Sequence, residues 1–191
     1  MLRALLLTTN IILISGCTYL GSKSALSIDE NDAWKTEYEK YVFRGSELFI
    51  SIEEIVITEH GSALGPIIPI IPLNHDRSFE SKRLELHTTV TGFPNPNNYS
   101  PNMAELEAYS SGNKLSLASK EAFLVGNTTK NNKEGKLWVQ YSFIFTYKEE
   151  LGQLSNLSLN FSLPMFKEKI PTLHLTRREM SDNEFILSPG P

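Results

Sequence analysis

Short runs of alternating apolar and polar residues, divided by turn residues, cover most of the chain. Leu84, Leu86, Thr88 and Val90 share one parity within residues 78–91. Within residues 136–147, Leu137, Val139, Tyr141, Phe143, Phe145 and Tyr147 alternate with Trp138, Gln140, Ser142, Ile144 and Thr146. Successive side chains of a strand point to opposite faces, so a period of two predicts strands with one buried face. The second run has one wholly apolar or aromatic face, which predicts a central strand. Residues 148–155 contain Gly152 and read as a hairpin connection to a return strand carrying Leu157, Leu159, Phe161 and Leu163. Leu173 and Leu175 begin a last strand. Shorter pieces fall at 103–109, 114–118 and 121–125, with a turn at Ser111-Gly112-Asn113. Residues 93–101 and 126–135 read as loops. In residues 47–58, Leu48, Ile50 and Ile52 share a face, Glu53-Glu54 shifts the phase, and Ile55 and Ile57 continue it. One extra residue in an alternating run is the pattern of a β-bulge.

Alternating runs spaced by about ten residues predict an all-β domain, an antiparallel β-sandwich of the immunoglobulin-like class with about seven or eight strands. No helix-length pattern follows residue 45, which argues against parallel βαβ units. One region departs from alternation at the start: Trp34, Tyr38, Tyr41 and Val42 fall at helical spacing in residues 29–43, with Asp29 or Asn31 as a cap. A short N-terminal helix or an extended segment is expected there, with Trp34 and Tyr38 packed on the domain.

Residues 61–77 read Gly-Ser-Ala-Leu-Gly-Pro-Ile-Ile-Pro-Ile-Ile-Pro-Leu-Asn-His-Asp-Arg. Pro66, Pro69 and Pro72 recur at the three-residue period of polyproline II. Proline cannot donate to a ladder, so this is not a central strand. Either the segment crosses the domain and its isoleucines cap the core, or Ile67, Ile68, Ile70, Ile71 and Leu73 form an exposed apolar strap for a partner or a membrane surface.

The first residues carry a different signal. Met1-Leu2-Arg3 is a charged start, residues 4–14 are mainly apolar, and Ser15-Gly16 are small residues before Cys17. This order describes a secretory signal. The apolar run is about half the ~20 residues that a spanning helix needs. Ile14-Ser15-Gly16-Cys17 resembles the lipobox of bacterial lipoproteins. The resemblance covers residues 1–18 and implies a diacylglycerol on Cys17, cleavage between Gly16 and Cys17, and a further acyl chain such as palmitate on the new amino terminus. Two or more chains give stable membrane anchoring. It further implies that Thr18, where an aspartate would retain such a protein in the inner membrane, directs it to the outer membrane. Residues 17–28, with Gly21, Ser22, Lys23 and Ser24, then read as lipidated cysteine and flexible tether. The sandwich is expected over residues 29–180 and a loose tail over 181–191.

The chain has 191 residues, enough for one domain, and nineteen aromatic side chains to build a core (Phe 10, Tyr 7, Trp 2). Its formal net charge of −4 becomes one more negative once Arg3 leaves with the signal. The charges are scattered, so nucleic acid is not an expected partner. The single cysteine, acylated, leaves no disulfide, and the fold rests on packing alone. Asn98, Asn127, Asn156 and Asn160 begin glycosylation sequons, which in a bacterium are polar loop and strand positions.

Catalytic signals are sparse. His60, His75, His87 and His174 lack the spacing of a helical zinc site, and no metal or other cofactor is expected. Ser62 in Gly61-Ser62-Ala63-Leu64-Gly65 is not central between glycines, as a nucleophile elbow requires. Glu53 and Glu54, adjacent on a strand, should point to opposite faces and not share a site. His75-Asp76 sits in the loop after the prolines, and Glu80 and Glu85 stand without distinguishing context. No catalytic residue is assigned. The expectation is a lipid-anchored outer-membrane protein facing the periplasm, with a non-enzymatic role in binding an envelope protein partner or in assembly. The alternatives are a hydrolase of envelope polymers, for which Glu53, Glu54, His60, His75 or Asp76 would have to converge, and a carrier with an apolar cavity between its sheets.

Overall fold

The computed structural model describes residues 18–29, 33–64, 73–94, 100–128 and 137–182. In chain order the strands are β1 (Thr18–Ile28), β2 (Trp34–Glu37), β3 (Lys40–Arg44), β4 (Leu48–Glu53), β5 (Val56–Leu64), β6 (Leu73–Ser78), β7 (Arg83–Gly92), β8 (Glu105–Ser110), β9 (Asn113–Lys114), β10 (Leu117–Thr128), β11 (Trp138–Glu150), β12 (Asn156–Ser162) and β13 (Leu173–Asp182). One sheet runs β6-β5-β1-β13-β12-β8-β9 and the other β10-β11-β7-β4-β3-β2. Every neighbouring pair is antiparallel. The fold is the antiparallel β-sandwich that alternation predicts, with thirteen strands among the described residues rather than seven or eight. No α-helix occurs among them, and no helix is long and apolar enough to cross a membrane.

The alternating faces meet in one core. Leu84, Leu86 and Val90 of β7, Val139 to Tyr147 at alternate positions of β11, and Leu157 and Leu159 of β12 are buried together. Two buried tyrosines tie the sheets. The Tyr41 hydroxyl donates to the Leu26 carbonyl and accepts from the Ile55 N–H at 3.2 Å. The Tyr147 hydroxyl donates to the Leu106 carbonyl at 2.6 Å.

Several local expectations are corrected. The tether over residues 18–28 is strand β1, paired with β5 on one side and β13 on the other. Its glycine and serines suit a linker, but small side chains also suit an interior strand whose backbone is satisfied on both edges, and Ser24, Ala25 and Leu26 are buried. Of the helix or extended segment expected over 29–43, the described residues show the extended form: β2 and β3 make a hairpin, and Trp34 faces Phe43 across it. Its two-residue turn, Tyr38-Glu39, has φ of 48° and 58°, the primed-turn geometry that matches strand twist. Trp34 packs as expected, whereas Tyr38 at the tip is 96% exposed. Asp29 caps no helix; its N–H donates to the His174 carbonyl at 3.0 Å.

The phase shift at Glu53-Glu54 is a change of sheet, not a bulge. Strand β4 ends at Glu53, and the chain crosses and resumes as β5 in the opposite sheet. Both parities are therefore buried in the same core, Leu48, Ile50 and Ile52 before the crossing and Ile55 and Ile57 after it. Likewise β11 does not turn back on itself. It runs to Glu150, passes through one 3-10 turn at Leu151–Gln153, and enters the other sheet as β12. The pieces at 114–118 and 121–125 belong largely to one strand, β10.

The strands of the first sheet outrun the core. Strand β1 buries residues 24–26 and β13 buries Leu173 and Leu175, while Glu179, Ser181, Ser22 and His60 beyond them are exposed. Register places Thr18 opposite Leu64, Ala63 opposite Leu73, and Gly21 opposite Asp182 at this far end. Gly16, Cys17, Ile67, Ile68, Ile70, Ile71 and residues 183–191 of the expected tail lie outside the described residues. Leu73 opens β6, and β13 extends to Asp182, past the expected start of the tail.

Candidate functional site

The change of sheet at Glu54-Ile55 leaves an open groove of about 670 Å³ beside it. Its walls come from the crossing itself (Glu53, Glu54), from β5 (Glu59), from β7 (Arg83, Glu85, His87) and from the turn before β7 (Phe79, Lys82). A second opening of about 390 Å³ shares Glu53, Glu54 and Glu59 and adds Lys23, Lys40 and the exposed Tyr38. Glu53 and Glu54 thus line one site after all. Strand alternation separates neighbours only while the strand continues, and β4 stops at Glu53.

Some of the charges in the two openings have close partners. Glu54, its side chain only 10% exposed, meets Lys23 Nζ at 2.7 Å. Lys82 Nζ lies 4.8 Å from the centre of the Phe79 ring, within reach of a cation–π attraction. His87 Nε2 is 3.6 Å from Glu85 Oε2 on the same strand. Both signs line the openings, with carboxylates in excess: Glu53, Glu54, Glu59 and Glu85 face Lys82 and Arg83 in the first. No group of three or more metal-ligating side chains exists among the described residues. The groove is suited to a polar partner surface with charges of both signs.

The expected catalytic candidates divide between two places. His60 Nδ1 meets Asp76 Oδ1 at 3.1 Å across β5 and β6, exposed and away from the groove. His75 is in strand β6, opposite Gly61, and not in a loop, because the backbone after Pro72 pairs at once with β5. Ser62 is a strand residue opposite Leu20 and Asn74. One serine–histidine contact was not legible in the sequence: Ser158 Oγ and His174 Nδ1 lie 2.9 Å apart as directly opposed neighbours on β12 and β13. It sits exposed on a sheet face and belongs to neither opening. The nearby Asp29 carboxylate bonds Thr176 Oγ1 at 2.9 Å and Arg178 at 3.4 Å instead of orienting the histidine. A nucleophile needs an oriented base and an oxyanion site, and this pair has neither.

Shifted ionisable groups are structural. Burial pushes the Tyr41 and Tyr147 phenols far above their usual range. The hydrogen bond from Arg44 holds Glu37 below the carboxylate range, and those from Lys114 and Tyr109 do the same for Glu107. Between the sheets, apolar side chains of both pack into one cluster.

No protein-family model matches the chain, and no curated protein matches it.

Proposed function

We propose that this chain is a lipid-anchored envelope protein, held at the outer membrane through acyl chains on Cys17, whose sandwich serves as a non-enzymatic binding or assembly module. The reading starts from the lipobox-like Ile14-Ser15-Gly16-Cys17 and from Thr18 after it. The observation that carries it further is the start of β1 at Thr18, one residue beyond the cysteine. One residue spans at most ~3.6 Å, so an acyl chain on Cys17 would hold the end of the first sheet directly at the bilayer.

Register supports the same orientation. Leu64 and Leu73 flank the segment 65–72, and both lie at the end of the sheet that Thr18 occupies. The candidate partner surface of Ile67, Ile68, Ile70, Ile71 and Leu73 follows Leu64 in the chain, and a bilayer is the apolar partner that the lipobox reading offers it. The groove at Glu53 and Glu54, lined by both carboxylates and cations, is the surface offered to an envelope partner.

The test is metabolic labelling of the full chain with an alkyne fatty acid. Wild type is expected to take up label and to fractionate with the outer membrane. Cys17→Ala is expected to lose the label and accumulate at the size of the uncut chain. Equal labelling of the two proteins, or processing of Cys17→Ala to the wild-type size, contradicts the reading.

A further inference from the structure

Seven large apolar side chains are exposed among the described residues, and four of them, Leu117, Phe123, Leu124 and Val125, belong to one strand, β10, with Met103 in the 3-10 turn beside it. Strand β10 is the outermost of its sheet and, among the described residues, is paired only with β11, on one side. It is twelve residues long. An unpaired edge of this length with apolar side chains is a template for another strand, and natural proteins normally blunt such edges.

We infer that β10 pairs with β10 of a second copy of this chain, antiparallel and about a two-fold axis near Ala122, joining two sheets into one.

Three features favour a second copy as the occupant. The first is area. Side chains about half exposed each present roughly 100 Å², so the four of β10 and the adjacent Met103 present about 500 Å² per copy and about 1,000 Å² for the pair, the least that a specific interface needs. The second is face matching. Residues of β10 opposite buried Phe145, Phe143 and Tyr141 are Lys120, Ala122 and Leu124, so these share the core-side face, and Glu121 and Phe123 share the outer one. Antiparallel neighbours must share a face, so a two-fold axis passes through a residue and sets that residue opposite itself. The third is charge. An axis at Lys120 or Glu121 opposes like charges, which destabilises a pair. An axis at Ala122 instead opposes Lys120 with Leu124 and Glu121 with Phe123, and places a small side chain at the closest approach. Ala122 is also near the middle of β10 and lies within its regular run, residues 119–124. The register breaks near Ala118 and Val125 lie outside the central run and leave it regular.

The test is sedimentation of the full chain in mild detergent, with cysteine crosslinking at the axis. Wild type is expected to be dimeric at micromolar concentration. Phe123→Asp, with Val125→Asp as a second variant, is expected to weaken self-association roughly ten-fold or more. Phe123 is on the outer face and Val125 is exposed, so the melting temperature of the diluted protein stays at the wild-type value. Ala122→Cys is expected to form a covalent dimer under mild oxidation, since directly opposed Cα atoms are about 4.5–5.5 Å apart, within disulfide reach. Wild type, carrying Cys17 alone, and Tyr38→Cys at the opposite edge give the background. A wild type that stays monomeric, a Tyr38→Cys dimer as abundant as that of Ala122→Cys, or capture of a different polypeptide by Ala122→Cys without self-crosslinking would each overturn the inference.

Discussion

The two edges of the second sheet are built in opposite ways. Strand β2 is four residues long, is followed by a tight turn, and is covered by charge: Arg44 reaches Glu37 at 2.6 Å across the hairpin. Its one large apolar residue, Trp34, is buried, stacked at 5.8 Å on Phe161, 5.5 Å from Phe43, and donating Nε1–H to the Pro171 carbonyl at 3.0 Å. Strand β10 is three times as long and leaves Phe123, Leu124 and Val125 at 49%, 51% and 58% exposure. Short, charged and tied down is how a sheet ends; long, apolar and loose is how a sheet waits to be continued. One molecule carries both, so the β10 edge is not a general tolerance of exposed strands.

The largest expected difference between the edges is in what their apolar residues do for folding. Trp34→Ala empties a packed site and should cost about 3–5 kcal/mol by denaturant unfolding. A cost below about 1 kcal/mol would mean that β2 is as loosely held as β10.

The next difference lies one strand in from each edge. Tyr41→Phe strands a buried carbonyl at Leu26 and a buried N–H at Ile55, while Tyr147→Phe strands only the Leu106 carbonyl. Each stranded group costs about 1–3 kcal/mol, so Tyr41→Phe should be the more destabilising of the two. The reverse order in thermal melts would show that the β10 side is tied to the first sheet more tightly than the β2 side.

Smaller still is Leu124→Ala, expected to change the stability of the diluted monomer by no more than about 0.5 kcal/mol. Measured at high protein concentration, the same variant should lose stability relative to wild type, because there the side chain is covered.

The least effect is expected from the exposed ion pairs. Glu37 and Glu107 both titrate below the ordinary 4.5 because each accepts a hydrogen bond from a cation, Arg44 and Lys114. A carboxylate with a lowered folded-state pKa adds stability above its unfolded value and loses it as pH falls through the folded value. Melts of Glu37→Gln and Glu107→Gln should therefore sit slightly below wild type at neutral pH and coincide with it once the carboxylates are protonated. Both pairs are solvent-exposed, so added salt should shrink the gap. A gap that widens in acid contradicts the assignment.

Strands whose two faces differ were legible from alternation. Residues 84–90 and 139–147 show it because Leu84, Leu86, Val90, Val139, Phe143 and Phe145 face one shared core. Strand β1 was not legible: Gly21, Ser22 and Ser24 carry little hydrophobic signal, and their place between β5 and β13 is fixed by partners distant in sequence. The Trp34–Arg44 hairpin was left between helix and extended segment because residues 34, 38 and 41 fit a helical stripe, and because Tyr38 and Glu39 occupy a turn where Asn or Gly is the usual sign. The groove was missed because alternation was carried through Glu53-Glu54, where the chain leaves its sheet. The β10 edge was missed for a deeper reason. Whether a strand is an edge depends on sheet order, and no local pattern of Ala122, Phe123, Leu124 and Val125 reveals it.

The most direct test of the contrast between the edges is amide hydrogen exchange on the full chain at two protein concentrations, read over β2 and β10. The account predicts that β10 amides on the side away from β11 exchange more slowly as concentration rises, while β2 is unchanged. Exchange in β10 that is fast and independent of concentration would mean that its apolar edge stays bare, and would contradict the account.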